Sequence, residues 1–495
     1  MVTTGYRREA SSISLPLPLV YNRLTLEWLG MFSSMLKISD TYSSVFYKAL
    51  MMVLQEDDIG KGKGKGKENP YMRLLNIMDA MLDEELKSER FAHMLTDYLD
   101  SWLSIHAMLK RFYPVRYYDT ILEDILAEQF RSYTRMLSFM LSTQDLPMDT
   151  SSYDVIYSKG KVRLLHYKSI DGESKGERYP ILIVYAMINR YHIMDISKDK
   201  SLVKRLMDGG LDVFLIDWGH MGYDDEDLSL DDYIRMLDEA VDRVRALSGK
   251  DRISMLGYCW GGIVSLVYAS LYRYKLNSLI VMAAPVDFDK DDGILAVWAK
   301  AIDARRLVAE YGHMNGQALD VAFLLRNPIR YTILKYLNLF KRIDDRAFVE
   351  TFFAVERWLY NTPAVPGRFY EQIIEDLYKG NALIKGILTV DGRRIDLKSI
   401  DIPLLTIVAE NDDLTAPAST LAVNDHTSSR EKRVMSIPGG HVGLCISSIA
   451  HKQLWPSVAR WVIEKFESSV EGRGGGMVGE GSKEYIGTDL PSTGD

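Results

Sequence analysis

From Tyr153 onward, short apolar runs alternate with amphipathic stretches. Ile181–Ala186 (ILIVYA) is a continuous apolar run, the pattern of a strand buried on both faces. Val213–Ile216 (VFLI), Ile253–Leu256, Leu279–Met282 and Leu404–Val408 continue the series, and Val162–Tyr167 also reads as a strand. Helical stretches lie between most of them. Such β-α alternation predicts an α/β fold with a mostly parallel, doubly wound sheet. The series is interrupted from about Phe288 to Lys385, where helix formers and aromatics replace any clear strand. A helical insertion between two strands at that point predicts a cap over the site.

The first 150 residues follow a different period. Leu24, Trp28, Met31 and Met35 fall on one helix face, and Leu95, Leu99 and Trp102 do so further on. Between them Glu56–Asn69 contains the Gly-Lys run Gly60–Lys67. Glycine entropy and lysine repulsion predict an exposed flexible linker there. The tail from Ser468 to Asp495 is rich in Gly, Ser and charge and is expected to be disordered. The expected organisation is therefore a helical region over 1–150, an α/β domain over 151–467 with its cap at about 288–385, and a tail over 468–495. No internal repeat is evident.

Composition narrows the function classes. The chain has 495 residues, 47% of them hydrophobic and 26% charged, and a formal net charge of -8. This mild acidity offers no general attraction to nucleic acid, so an anionic ligand needs a local basic patch. Two cysteines, Cys259 and Cys445, make no disulfide framework and point to a reducing cytoplasm. No signal peptide and no bilayer-spanning apolar run is seen. A soluble cytoplasmic protein is expected, still able to bind a hydrophobic surface.

The sharpest chemical signal is Gly257-Tyr258-Cys259-Trp260-Gly261-Gly262, directly after the strand Ile253–Leu256 and before the apolar helical run Ile263–Tyr272. This is the nucleophile-elbow pattern with cysteine in place of serine. Small residues flanking the nucleophile let strand and helix approach, and the helix N-terminus favours a thiolate. Taken alone, Cys259 also fits a small packed core residue. Its partners decide the matter. The elbow needs an acid and then a histidine, in that chain order. Asp412 follows the strand Leu404–Val408, with Asp413 beside it and not separable by spacing, and His441 sits in the glycine-rich Pro438–Gly443. Oxyanion donors are expected from the backbone N–H groups of Trp260 and, in the loop after an early strand, Met187. Cys445, near the start of the final helix, reads as a packed thiol. His220 and His313 show no metal-ligand spacing, with His220 a lesser candidate for lining the pocket. No dinucleotide fingerprint or phosphate loop is present, so neither cofactor nor metal is expected.

The runs Ile183–Arg190 (IVYAMINR), Phe214–Gly219 (FLIDWG), Leu230–Ile234 (LDDYI), Gly257–Gly262, Ala284–Phe288 (APVDF), Asp376–Gly386 (DLYKGNALIKG), Gly392–Leu397 (GRRIDL) and Gly439–Gly443 (GGHVG) resemble, in family order, polyhydroxyalkanoate synthase sequence. The closest flavour is the class III catalytic subunit, over roughly Tyr153 to Glu467. The resemblance implies an α/β-hydrolase fold and a polymerising acyltransferase. Its substrate would be an (R)-3-hydroxyacyl-CoA such as 3-hydroxybutyryl-CoA, with CoA and a growing polyester as products. By the same resemblance Cys259 carries the acyl chain, His441 is the general base and Asp412 is the catalytic aspartate. The family's D-H-L-x-P motif reads here Asp412-Asp413-Leu414-Thr415-Ala416-Pro417, with Asp413 in place of histidine, and Trp260 departs from the usual residue after the nucleophile. Arg305 and Arg306 in the cap are candidates for the CoA phosphates. A homodimer, a second non-catalytic subunit and association with polyester granules are implied. The N-terminal region either stands in for part of that subunit or touches the granule, or is a plain helical domain packed on the catalytic one, and apolar helix faces alone do not decide between these. Two alternatives share the sequence signals: a cysteine-dependent hydrolase or thioesterase, and a non-catalytic granule-binding scaffold.

Overall fold

A computed structural model describes residues 150–168, 178–327, 330–331, 335–342, 345–471 and 483–485, together with scattered positions between 37 and 101. The strands of the main sheet are β1 (Tyr153–Lys159), β2 (Val162–Tyr167), β3 (Tyr179–Val184), β4 (Leu211–Asp217), β5 (Ile253–Tyr258), β6 (Leu276–Met282), β7 (Leu404–Ala409), β8 (Lys432–Ile437) and β9 (Lys483–Tyr485). They lie in the order β1-β2-β4-β3-β5-β6-β7-β8-β9. β1 and β2 are antiparallel to their neighbours, and every pairing from β4 to β9 is parallel. The chain reverses its direction of travel across the sheet around β3 and β5, and ligands of such sheets bind at the strand carboxyl ends beside that point.

The central strands are apolar and buried along nearly their whole length because helices cover both faces. Helix α1 (Leu202–Asp208) packs on the final helix, and α2 (Leu230–Ser248) packs on α3 (Trp260–Tyr272). α2 shows how locally specified these helices are. Ser229 and Asp232 form a capping box at its start, Gly249 in the left-handed conformation ends it, and Leu230, Tyr233, Ile234, Leu237, Val241 and Val244 form its buried stripe. α3 is buried all round, which is why its sequence reads as one apolar run.

The cap lies between β6 and β7, as the break in the strand series predicts. It holds α4 (Ile294–Ala301), α5 (Ala304–Tyr311), α6 (Gly316–Leu325), α7 (Lys335–Lys341), α8 (Arg346–Leu359) and α9 (Gly367–Gln372), which runs on into a π-helical turn over Ile373–Lys379. The cap is not purely helical. His313–Met314 pairs antiparallel with Val365–Pro366, too short a pairing to leave an alternating pattern.

Three expectations need correction at the carboxyl end. β8 (KRVMSI) was absent from the expected strands, because its first three residues are only half-buried and break the apolar run. Cys445 belongs to a separate short helix, Gly443–Ile446, and the final helix α10 begins only at Trp455. α10 runs to Glu471, and Lys483–Tyr485 adds a strand beside β8, so the tail is not wholly without structure. The Leu24–Met35 and Leu95–Trp102 patterns and the Gly-Lys run fall outside the described residues.

Candidate active site

The turn between β5 and α3 sets the site. Cys259 adopts φ 55° and ψ −127°, a region where a side chain meets its own backbone. Its N–H donates to the Met282 carbonyl of β6 at 3.0 Å, and its own carbonyl accepts from Gly262 at 2.9 Å. These bonds on both sides hold the strained residue in place. The glycines of the motif are spatial necessities. A Cβ on Gly261 would fall on the Val184 carbonyl oxygen, one on Gly257 would crowd Ser265 and Gly262, and one on Gly262 would crowd Ala284. The missing Cβ of Gly261 lets the loop after β3, which carries Met187, run directly against the start of α3. Gly261→Ala is therefore expected to destabilise the fold by roughly 3–5 kcal/mol, since backbone and not a flexible side chain must yield. Urea unfolding of the variant measures this.

His441 is the second element. Its Nδ1 lies 2.8 Å from Asp412 Oδ2, and Asp412 Oδ1 accepts the backbone N–H groups of Leu414 and Thr415 at 2.9 and 3.0 Å. Asp412 is thus a saturated, buried acceptor that fixes the ring and leaves Nε2 free for chemistry. Tyr258 steadies the other side: its hydroxyl donates to the His441 carbonyl at 3.2 Å and its ring lies 4.9 Å from the imidazole. Burial pushes the His441 pKa down, but the Asp412 carboxylate, and with it the Cys259 sulfur, outweigh burial and raise it. The carboxylate thus strengthens His441 as a proton acceptor beside the Cys259 sulfur.

The structure separates the two adjacent aspartates that spacing left open. Asp413 turns away from His441 to Arg326 at 3.4 Å, to Arg330 at 3.9 Å and to the Tyr331 hydroxyl. Burial raises its pKa, yet Arg326 and its other neighbours hold it below the usual carboxylate value.

The two cysteines also differ. Cys259 is partly accessible, whereas Cys445 is fully buried and its thiol is pushed up to about 12 by that burial, against the pull of the Tyr258 hydroxyl. Cys445 therefore stays a thiol at neutral pH. The bulk of Trp260 is taken up by the cap: its indole N–H donates to the Tyr378 hydroxyl at 3.5 Å and its ring meets Phe369 edge-on. Met187 is buried and lines a cleft with Asn189, Arg190, Asp217, Trp218 and Pro363 at the carboxyl ends of β3 and β4. Arg305 and Arg306 are both engaged in ion pairs. Each faces a carboxylate, Arg305 at 3.6 Å from Glu371 of the cap and Arg306 at 2.9 Å from Asp100 of the N-terminal region. His220 is exposed, and His313 Nδ1 is bonded to the Tyr311 carbonyl at 2.9 Å. Among the described residues no cluster of His, Cys, Asp or Glu is placed to hold a metal ion.

Sequence reasoning missed Asp291, between β6 and the cap. Its Oδ1 accepts from Gly293 at 3.2 Å and from Ala416 of the Asp412 loop at 3.4 Å, while Oδ2 is buried with no partner. Burial, aided by the nearby Asp412 charge, raises it from 3.8 to about 6. The folded state thus holds this proton more tightly than the unfolded chain. Stability is highest below the unfolded pKa, falls between 3.8 and about 6, and carries the full penalty above that. The penalty is on the order of 2–3 kcal/mol. Asp291→Asn is expected to raise the unfolding midpoint at pH 8 and to leave it nearly unchanged at pH 4, as read by thermal unfolding at both values.

Comparison with known proteins agrees with this architecture. A family model for the alpha/beta hydrolase fold matches residues 179–445, and one for the N-terminus of poly-beta-hydroxybutyrate polymerase (PhaC) matches residues 120–206. The poly(3-hydroxyalkanoate) polymerase subunit PhaC of Haloferax mediterranei is 40% identical over 324 residues, 64% of this chain and 65% of that protein. The corresponding subunit of Allochromatium vinosum is 35% identical over 347 residues, 69% of this chain and 98% of that protein. That of Synechocystis is 35% identical over 333 residues, 66% of this chain and 88% of that protein. With nearly the whole Allochromatium subunit matched, this chain belongs to the poly(3-hydroxyalkanoate) polymerase PhaC family and carries its α/β-hydrolase fold.

Proposed function

We propose that this chain is an acyltransferase that polymerises (R)-3-hydroxyacyl-CoA, of short chain such as 3-hydroxybutyryl-CoA, through an acyl thioester on Cys259. The observation that carries the reading is the elbow cysteine set in a chain whose His441 is pinned by Asp412 at 2.8 Å. In the first half-reaction His441 Nε2 takes the Sγ proton and the thiolate attacks the thioester carbonyl. The bond to the CoA sulfur breaks, and CoA leaves with the proton that His441 returns. In the second, the hydroxyl of the next unit attacks the acyl–Cys259 carbon. A C–O bond forms, the C–S bond breaks, and the hydroxyl proton passes through His441 to the leaving thiolate. Cysteine suits both halves because thiolate is a good nucleophile and a good leaving group. The Trp260 and Met187 backbone N–H groups stabilise the oxyanion. No resident cofactor or metal enters these steps.

Hydrolysis would end the chain, so the site must be dry while the thioester exists. The cap over the elbow serves that purpose and opens for substrate. The relatives are named as subunits, which favours a second subunit for this chain as well. An insoluble polyester product favours the granule surface in the cytoplasm as its working place. No helix among the described residues is long and apolar enough to cross a membrane. A homodimer is part of the same reading. Arg305 and Arg306 remain the proposed contacts for CoA phosphates, reached on the cap surface once their carboxylate partners release them.

The test is CoA release from (R)-3-hydroxybutyryl-CoA by the purified chain, followed with a thiol reagent while insoluble polyester is weighed. Polyester is expected. Free hydroxy acid in its place would make the protein a thioesterase. No release, with and without a candidate second subunit, would leave the scaffold reading.

A further inference from the structure

Two contacts cross from the cap to the loop that follows β3. Trp358, buried in the last turn of α8, donates its indole N–H to the Arg190 carbonyl at 2.6 Å. Thr362, just past the same helix, sets its buried hydroxyl against both Asn189 Oδ1 and Asp320 Oδ1. The anchored residues are adjacent and lie two and three positions after Met187.

Asn189 forms the turn of this loop. It sits at φ 59°, in the left-handed region that asparagine enters more readily than other side-chain-bearing residues, and its side chain is held there by Thr362. The contact that holds it comes from another element, the end of α8. That end is itself clamped. Gly316 opens α6 so close to Thr362 and Pro363 that a Cβ there would strike both carbonyl oxygens. Asp320, in the same helix, reaches Thr362 from behind. A cap movement that carries the end of α8 away from the sheet would part Thr362 from Asn189 and Trp358 from Arg190. The loop would then lose the contacts that fix its turn.

We infer that Trp358 and Thr362 are positioning residues that hold the Met187 amide toward the oxyanion only while the cap is closed. The site then becomes fully competent only when water is shut out, so the thioester is not activated toward a wet, open pocket. An oxyanion donor displaced by a fraction of an ångström loses most of its effect. The inference rests on the acyl-cysteine reading given above.

The experiment compares Thr362→Val, Thr362→Ser and Trp358→Phe with the parent enzyme. CoA release gives kcat and KM, and the fraction of acyl groups ending as free hydroxy acid is measured beside it. Valine and phenylalanine keep the bulk and remove the donor. For both, kcat is expected to fall about 10- to 100-fold with KM changed less than about 3-fold, and the hydrolysed fraction is expected to rise. Thr362→Ser restores the hydroxyl and is expected to recover most of the rate. Parental kcat and parental partition in both donor-less variants would overturn the inference, as would a Thr362→Ser no better than Thr362→Val. Circular dichroism and thermal midpoints identify a variant that fails to fold, and Trp358→Phe then carries the test. Cys259→Ala is run alongside: CoA release surviving in that variant removes the acyl-cysteine reading itself, a failure distinct from unchanged kinetics at Thr362 and Trp358.

Discussion

Cys259→Ala is expected to abolish CoA release and polyester formation together, by at least ~10³-fold, with no change in fold. The residue is partly accessible and only abuts the core from its edge, and alanine keeps its Cβ. Alanine also tolerates the turn no worse than cysteine does, so the unfolding midpoint should stay near the parent value. Cys259→Ser is the more informative partner. Serine keeps the elbow and a proton for His441 to take, and acyl transfer from CoA to a hydroxyl is favourable, so a first burst of CoA is expected. Turnover should then stall, because an alkoxide is a far poorer leaving group than a thiolate and the next hydroxyl cannot displace it. Burst kinetics with mass measurement of the intact protein would show the trapped ester. Full polymerisation by the serine variant would mean that the sulfur is not needed as a leaving group.

Much of this arrangement was legible in the sequence, for a physical reason. A strand buried on both faces must be apolar throughout, so β3, β5, β6 and β7 announce themselves. An elbow tolerates only glycine at certain points, so Gly257, Gly261 and Gly262 leave a fixed signature around Cys259. The less legible features depend on contacts between residues distant in the chain. β8 is a half-exposed strand and carries no continuous run. Asp291 looks like any acidic loop residue until Ala416 and Gly293 close around it. Trp358 and Thr362 read as an amphipathic helix and its exit, and only the folded chain brings them to Asn189 and Arg190. The basic pair Arg305 and Arg306 shows the opposite case: its charge is plain in the sequence, while its carboxylate partners are not.

Asp412→Asn and Asp413→Asn, adjacent and chemically identical substitutions, are expected to differ by orders of magnitude. Asp412 accepts from His441 Nδ1 and from two backbone amides, so it fixes the tautomer that leaves Nε2 able to accept a proton. Asparagine there can turn its NH₂ toward Nδ1, which then holds no hydrogen, and Nε2 becomes the protonated nitrogen. The base is lost while the geometry survives. A fall in kcat on the order of 10³- to 10⁴-fold is expected, with the unfolding midpoint little changed. The same substitution removes the charge that raises the His441 pKa, so the imidazolium should also become weaker. A titration of His441 followed by NMR should show its midpoint moved down. Asp413 points instead to Arg326, Arg330 and Tyr331. Asp413→Asn leaves the buried Arg326 guanidinium without its carboxylate, so its main cost is expected in stability, with kcat within about 10-fold of the parent. If the two variants lose activity equally while remaining folded, the imidazole is not oriented by Asp412 alone and the division of labour between the neighbouring carboxylates fails. If only Asp413→Asn is inactive, the acid of the site is the residue that stands where the family pattern has a histidine.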